Sequence, residues 1–291
     1  MLDYTEEDVG NIVSLEHVNI QVPDQPMATL FYVVGLGLTR DPYLNVGLGN
    51  MWANIGEQQF HLPTRTAQRI PGYIDLVLPD LEALRERLSS VKPSLQNTQF
   101  SWSSNEDHVA VTCPWGNRFR CYGSGSAFGD MAQGLAAVEF IVPEGTAAAI
   151  AGFYQNVLEA PAGVATDSAH TLAQIKIGRN QSLRFRESRE PVAPYDGHHI
   201  AIYVANFSRP YSFLKSHHLI SEDVRNHQFR FQSIIEPDSG RIVFLLEHEV
   251  RSLHHPMFSR HFVNRDPAQG QRNYRRGRDA FIPFRAETDG V

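Results

Sequence analysis

An α+β fold built from four copies of one strand-and-helix unit is predicted by three features of the 291-residue sequence. One strand pattern recurs, its spacing is even, and a helical stretch follows each occurrence. The pattern reads HVNIQVPD from His17, YIDLVLPD from Tyr73, AVEFIVPE from Ala137 and HIAIYVAN from His199. Each places apolar residues at its second, fourth and sixth positions, so the first residue faces away from the apolar side of a half-buried strand. The four starts are 56, 64 and 62 residues apart.

The helical stretches are Pro26 to Val34, Asp80 to Ser90, Gly145 to Leu158 and about Asn206 to Leu219. In the second, Leu81, Leu84 and Leu88 share one helix face behind an aspartate able to cap the first turn. The first and third share a Phe-Tyr pair, LFYVVGLGL against GFYQNVLEA. Short strands close each copy, in MWANIGEQQFHLP, VAVTCPWGNRFRCYG, AQIKIGRNQSLRFRE and FRFQSIIEPDSGRIVFLLEHE, with Gly, Asn, Asp and Pro marking their turns. The Gly/Ser-rich GSGSAFGDMAQG, 123–134, reads as a linker between halves.

Composition is that of an ordinary globular protein, at 42% hydrophobic and 20% charged. No apolar run approaches the roughly 18–20 residues of a membrane span, and the acidic start is unlike a signal peptide, so a cytoplasmic protein without membrane contact is expected. Cys113 and Cys121 flank the PWGN turn, where they could face each other across a hairpin, and are expected to be reduced. The net charge of -6 hides a basic 251–291, with eight arginines against four acids. That stretch is read as an extension packed on the acidic body, and nucleic-acid binding is not expected.

His17 and His199 occupy the same place in the repeated pattern, and His61 lies on the closing strand of the first copy. This register suggests a single metal site. His198 points to the opposite face by alternation and is expected to be structural. The pairs His217-His218 and His254-His255 lack the strand pattern and read as surface residues.

A strand, a helix and three strands repeated four times, with H-x-x-I-x-V, the FY…LGL helix end and the PWGNR turn, resembles the vicinal oxygen chelate superfamily. That superfamily includes glyoxalase I, methylmalonyl-CoA epimerase, fosfomycin-resistance proteins and extradiol dioxygenases. The resemblance covers about 13–250 and implies four βαβββ modules paired into two half-open barrels. Modules of about 13–63 and 71–123 would form an N-terminal domain, 1–126; those of about 135–187 and 197–249 a C-terminal domain, 127–250; and 251–291 the basic extension.

In the superfamily, metal ligands come from the first and last strands of paired modules. At those positions copy one has His17 and His61, copy two Tyr73 and Arg120, copy three Ala137 and Arg184, and copy four His199 with a choice among Phe244, Leu245 and Glu247. Pairing of copies one and four would unite the three histidines, whereas pairing one with two would divide the ligands. The resemblance puts the fourth ligand at Phe244; Glu247 takes that role if its strand carries a bulge or shifted pairing. His227 sits where extradiol dioxygenases carry an acid or base near bound oxygen, and Tyr203 shares a strand face with His199, so these are the candidate catalytic groups. Asn19, Gln59 and Phe244 are the candidate substrate-binding groups, and Glu139, Arg120 and Arg184 are expected to form an ion network.

The expected cofactor is a divalent metal: Fe(II) first, with Zn, Ni, Mn or Co also suited to imidazole. A non-haem iron oxygenase acting on a small substrate with adjacent oxygens is the leading expectation. A glyoxalase- or epimerase-like isomerase or lyase, and a metal-free small-molecule binding protein, are the alternatives. Monomer and homodimer both remain open.

Overall fold

The computed structural model describes residues 7–44, 49–166 and 170–266, together with Arg272. NYRRGR, at 273–278, and the rest of the basic extension beyond 266 therefore lie outside the described residues, Arg272 excepted.

Each alternating segment opens one copy of the unit. Copy one comprises β1 (Ile12–Asn19), the short helix α1 (Gln25–Ala28), β2 (Thr39–Arg40), β3 (Asn50–Ile55) and β4 (Gln58–Pro63). Copy two comprises β5 (Gly72–Leu78), α2 (Leu81–Val91), β6 (Ser101–Ser104), β7 (Val109–Thr112) and β8 (Arg118–Gly123). Copy three comprises β9 (Gly134–Pro143), α3 (Ala147–Asn156), β10 (Ala162–Thr166), β11 (Thr171–Lys176) and β12 (Ser182–Ser188). Copy four comprises β13 (His199–Val204), α4 (Ser208–Ser216), β14 (Ile220–Val224), β15 (Gln228–Ile235) and β16 (Ile242–Ser252). Among the described residues, these strands belong to two eight-stranded sheets.

Local chemistry sets the helices. Asp80 caps α2 by accepting the Ala83 N–H at 2.9 Å, and Asp24 caps α1 by accepting that of Met27 at 2.7 Å. Beyond α1 the chain widens into a π-helical turn, Thr29–Gly35, in which the Leu36 N–H donates to the Phe31 carbonyl five residues back. The wider turn carries Phe31 and Tyr32 together into the interior, where both are fully buried.

Among the described residues, two compact units share the chain: one comprises 7–19, 70–73 and 137–260, the other 20–69, 74–136 and 261–266. In the second unit, strands run in the orders β4-β3-β2 and β5-β8-β7-β6. Its core is aromatic, with Phe31 perpendicular to Tyr32 at 4.9 Å and Tyr32 5.4 Å from Phe60. Cys121 opposes Val109 in the β7–β8 ladder, so it does not face Cys113; both thiols are buried and free. Arg120 forks onto Asp75 at 2.6 and 3.1 Å.

In the first unit the orders are β14-β15-β16-β13-β1 and β10-β11-β12-β9. β1 and β13 pair antiparallel, which joins the opening strands of copies one and four. The Ile141 N–H donates to the Pro71 carbonyl at 2.6 Å, and Gly72 lies against the Glu139 carbonyl, where a Cβ would sit only 1.7 Å from that oxygen. β16 lies parallel to β13, and β12 parallel to β9, so each copy's last strand returns beside its first. Glu139 is held by Arg186 at 3.0 Å, one strand repeat on from Arg184, which opposes it in register.

Two contacts in this unit fix histidines in the neutral state. His248 is fully buried and stacks on Phe231 at 4.4 Å; its Nδ1–H donates to the Leu246 carbonyl, while its Nε2 accepts the Tyr154 hydroxyl at 2.6 Å. Burial holds its pKa down at about 3. After β16 the chain turns back over Tyr203, placing Phe258 5.1 Å from that ring. His255 is consequently buried, which corrects the surface placement predicted from the sequence. Its Nδ1 accepts the Met257 N–H at 3.1 Å, and burial, with Arg251 adding to it, depresses its pKa to about 4.

Tyr154→Phe removes a buried donor and leaves His248 Nε2 without one, which costs about 1–3 kcal/mol in chemical unfolding with the fold otherwise retained. His255 binds its proton more readily unfolded than folded, so its contribution to stability is present above its ordinary pKa of about 6.5 and is lost as pH falls toward 4. Between those pH values the unfolding free energy of His255→Gln should decline less steeply than that of wild type, measured by denaturant titration at each pH.

Candidate metal centre

The centre belongs entirely to the first compact unit, and an irregularity in β1 makes it possible. Leu15 opposes Ile202 but His17 opposes Ala201, so Glu16 is one residue in excess of the ladder. Such a bulge turns two successive side chains toward the same side of a sheet. Glu16 Oε2 accordingly reaches His17 Nδ1 at 2.5 Å, and both side chains are buried.

In-register rows bring the partners. His17, Ala201 and Glu249 lie side by side across β1, β13 and β16, as do Asn19, His199 and Glu247 in the next row. β16 also carries a bulge, since Leu246 and Glu247 together oppose Gln232 between the pairs Leu245–Ser233 and His248–Phe231. On its other edge β16 pairs with β13 without a shift, which sets Glu247 beside His199, with Oε1 3.5 Å from Nδ1. It also brings Glu249, which the sequence reading does not single out, to 3.9 Å between Oε2 and His199 Nε2. One ligand atom from each of His17, His199 and Glu249 lies within 4.8 Å of the others, and all three residues are buried. The imidazole rings of His17 and His199 stand 5.9 Å apart at 67°.

Two arginines complete the cluster. Arg251 forks onto Glu249 Oε1 through Nε at 2.6 Å and Nη2 at 2.5 Å, and its Nη1 donates to Glu16 Oε2 at 2.6 Å. Arg230 donates to Glu247 Oε1 at 2.9 Å and, through Nη2, to Glu249 Oε2. Burial would raise the Glu249 pKa, but His17, Arg251, Arg230 and His199 outweigh it and hold it at about 2. Glu16 is likewise depressed despite its burial, by His17 and Arg251. Glu247 is shifted the other way, burial being the largest cause and exceeding the pull of Arg230. Arg251 begins the stretch read from sequence as a basic extension, yet it is a member of β16 and 7% exposed.

The donor set suits a divalent cation. Glu16 engages His17 through Nδ1, the carboxylate–histidine arrangement that fixes a tautomer and presents Nε2 as the ligating atom. Glu249 is ionised, as a ligand must be. Four carboxylates, Glu16, Glu247, Glu249 and the more exposed Glu222, face the two guanidiniums, so carboxylates outnumber the cations in the cluster. Glu16 Oε1 and Asn19 Oδ1 are buried without a hydrogen-bond partner among the described residues.

The other sequence-predicted groups are distributed as follows. Tyr203 is buried two residues along β13 from Ala201; its hydroxyl lies 3.4 Å from His255 Nδ1 and 3.5 Å from Arg251 Nη1. Burial raises its pKa. His227 is an exposed residue of the β14–β15 turn, with φ +65° and its ring 5.9 Å from that of His254. Phe244 packs with Phe140 and Phe185, at 6.1 and 6.0 Å, among none of the cluster's charged groups. His61 and Gln59 lie on β4 of the second unit. There the His61 ring stacks on Trp52 at 3.9 Å, and Gln59 Nε2 donates to Asn54 at 2.6 Å and Asp41 at 3.0 Å.

Arg251→Met removes the cation that two buried carboxylates share. Unfolding free energy should drop by about 3–5 kcal/mol, far more than for Arg241→Met, whose pair with Glu236 lies on the surface.

No family model and no curated protein sequence matches the chain. Solved structures do match. Glyoxalase I from Zea mays is similar with a TM-score of 0.56 at 13% identity, over 82% of this chain and 92% of that one. A "putative dioxygenase" from Bacillus subtilis subsp. subtilis str. 168 is similar with a TM-score of 0.53 at 12% identity, over 84% and 86%. With four registered modules and these structural likenesses, the chain has the fold of the vicinal oxygen chelate superfamily.

Proposed function

We propose that the protein is a metal-dependent oxygenase of small substrates bearing two adjacent oxygens, with His17, His199 and Glu249 holding Fe(II). The observation that carries this reading is the convergence of two imidazoles and one ionised carboxylate in a buried cluster. That donor set, with positions left open, is the one non-haem iron oxygenases use. Fe(II) bound there would supply Lewis acidity toward a chelating substrate and redox chemistry toward dioxygen.

The chain's own groups define the rest. Glu16 keeps the His17 proton on Nδ1, and Arg251 ties Glu16 and Glu249 into fixed positions. Tyr203 holds a phenolic proton beside His255 Nδ1, on the strand that carries His199. In this reading the Tyr203 phenol, kept protonated by burial, would donate a hydrogen bond to a substrate oxygen, and His227, exposed in its turn, takes no part.

A second reading, an isomerase or lyase in the manner of glyoxalase I, draws on Glu247. A carboxylate 3.5 Å from His199 that is no member of the ligand group could move a proton on a carbon next to a carbonyl. The readings separate on this residue.

In anaerobically reconstituted enzyme, oxygen uptake with a panel of catechols and 2-oxo acids should be abolished, at least 100-fold, by His17→Ala, His199→Ala or Glu249→Gln. Glu247→Gln should retain uptake within a few fold. Substrate turnover without oxygen consumption, lost in Glu247→Gln, would instead support the isomerase. His61→Ala in the same assay tests the third imidazole expected from the sequence.

A further inference from the structure

One side chain outside β1 and β13 holds the residue that precedes the Glu16 bulge. The β1–β13 ladder is irregular twice, between Ile12 and Ser14 and between Leu15 and His17, which leaves Ser14 and Leu15 as a short in-register piece. The turn that joins β11 to β12 grips this piece. Gly178 makes an isolated antiparallel bridge to Ser14. With φ +101°, and with the Val13 carbonyl only 2.5 Å from where a Cβ would sit, that position admits glycine alone. Gln181, 5% exposed, takes both backbone groups of Leu15. The Leu15 N–H donates to Oε1 at 3.1 Å, and Nε2 donates to the Leu15 carbonyl at 3.2 Å. A neighbouring strand would make the same two bonds; here one carboxamide supplies them. The turn that carries it is closed by the Ile177 N–H on the Gln181 carbonyl at 3.1 Å.

The chain between two fixed points is then one residue too long for its ladder. Leu15, fully buried, is held by Gln181, and His17 is held opposite Ala201 by β13. Their partners, Ile202 and Ala201, are consecutive, so Glu16 has no place in the ladder and must bulge. Freed from Gln181, the strand could regain a regular ladder by slipping one residue, which turns every side chain of the slipped piece to the other face. We infer that Gln181 is a positioning residue for the metal centre: by anchoring Leu15 it maintains the bulge that sets the Glu16 carboxylate on His17 Nδ1. Its functional meaning rests on the oxygenase reading, but the geometry it controls can be read without metal.

Gln181→Met keeps the length of the side chain and removes both bonds. In metal-free protein the His17 Nδ1–H signal, assigned in an imidazole 15N NMR spectrum by its loss in His17→Ala, should move upfield in Gln181→Met as it does in Glu16→Gln. Anaerobic Fe(II) affinity, by calorimetry, should fall at least about 10-fold. On a Glu16→Gln background the same substitution should cost no more than about 2-fold, because two residues acting through one contact are not additive. Should Gln181→Met not fold, Gln181→Glu takes its place, since it keeps an acceptor for the Leu15 N–H and sets an oxygen against the Leu15 carbonyl. An unmoved His17 signal in the folded variant, unchanged affinity, or an equal loss with and without the Glu16 carboxylate would each overturn the proposal. Wild type that binds no Fe(II) would overturn the oxygenase reading instead, and the His17 signal would then decide the role of Gln181 by itself.

Discussion

One extra residue in β1 governs what the sheet interior can hold. In a regular strand Glu16 and His17 would face opposite sides, and the carboxylate would point away from the imidazole it orients. The bulge turns both to the same side, where Glu16 fixes His17 and meets Arg251 from a strand that lies beyond β13. Arg251 in turn holds Glu249, and Arg230 links Glu249 to Glu247. Glu16 and Glu249 could not be buried here without Arg251, nor Arg251 without them, and the half-buried Arg230 and Glu247 extend the network toward solvent.

The charge balance is what favours reading this cluster as a metal centre over a purely structural ion network. Complete neutralisation would need as many cations as carboxylates, yet carboxylates outnumber guanidiniums here, next to two imidazoles within reach of Glu249. Elsewhere, Asp75 is paired with Arg120 and Glu139 with Arg186.

Much of the fold was legible because period-2 burial fixes strand faces directly. The four opening strands, the capped α2 and the paired aromatics Phe31-Tyr32 and Phe153-Tyr154, all fully buried, follow from patterns visible in the sequence. His17 and His199 were legible for the same reason. Glu249 was not, because two bulges break the parity on which the count depends, one at Glu16 and one at Leu246-Glu247. Glu247 could be named as a carboxylate that a bulge would bring in, but how far the register then carries Glu249 depends on pairing with β13. His255 escaped notice because its burial comes from a chain reversal after β16, which no local periodicity records.

The most direct test of this account is anaerobic Fe(II) affinity, by calorimetry, for wild type, Glu16→Gln, Glu247→Gln and Glu249→Gln. Glu16 acts by orienting His17, so its substitution should weaken binding about 10- to 100-fold. Glu249→Gln should lose binding altogether, and Glu247→Gln should remain close to wild type. Unchanged affinity in Glu16→Gln and Glu249→Gln, with loss in Glu247→Gln, would contradict the assignment and return the ligand role to Glu247.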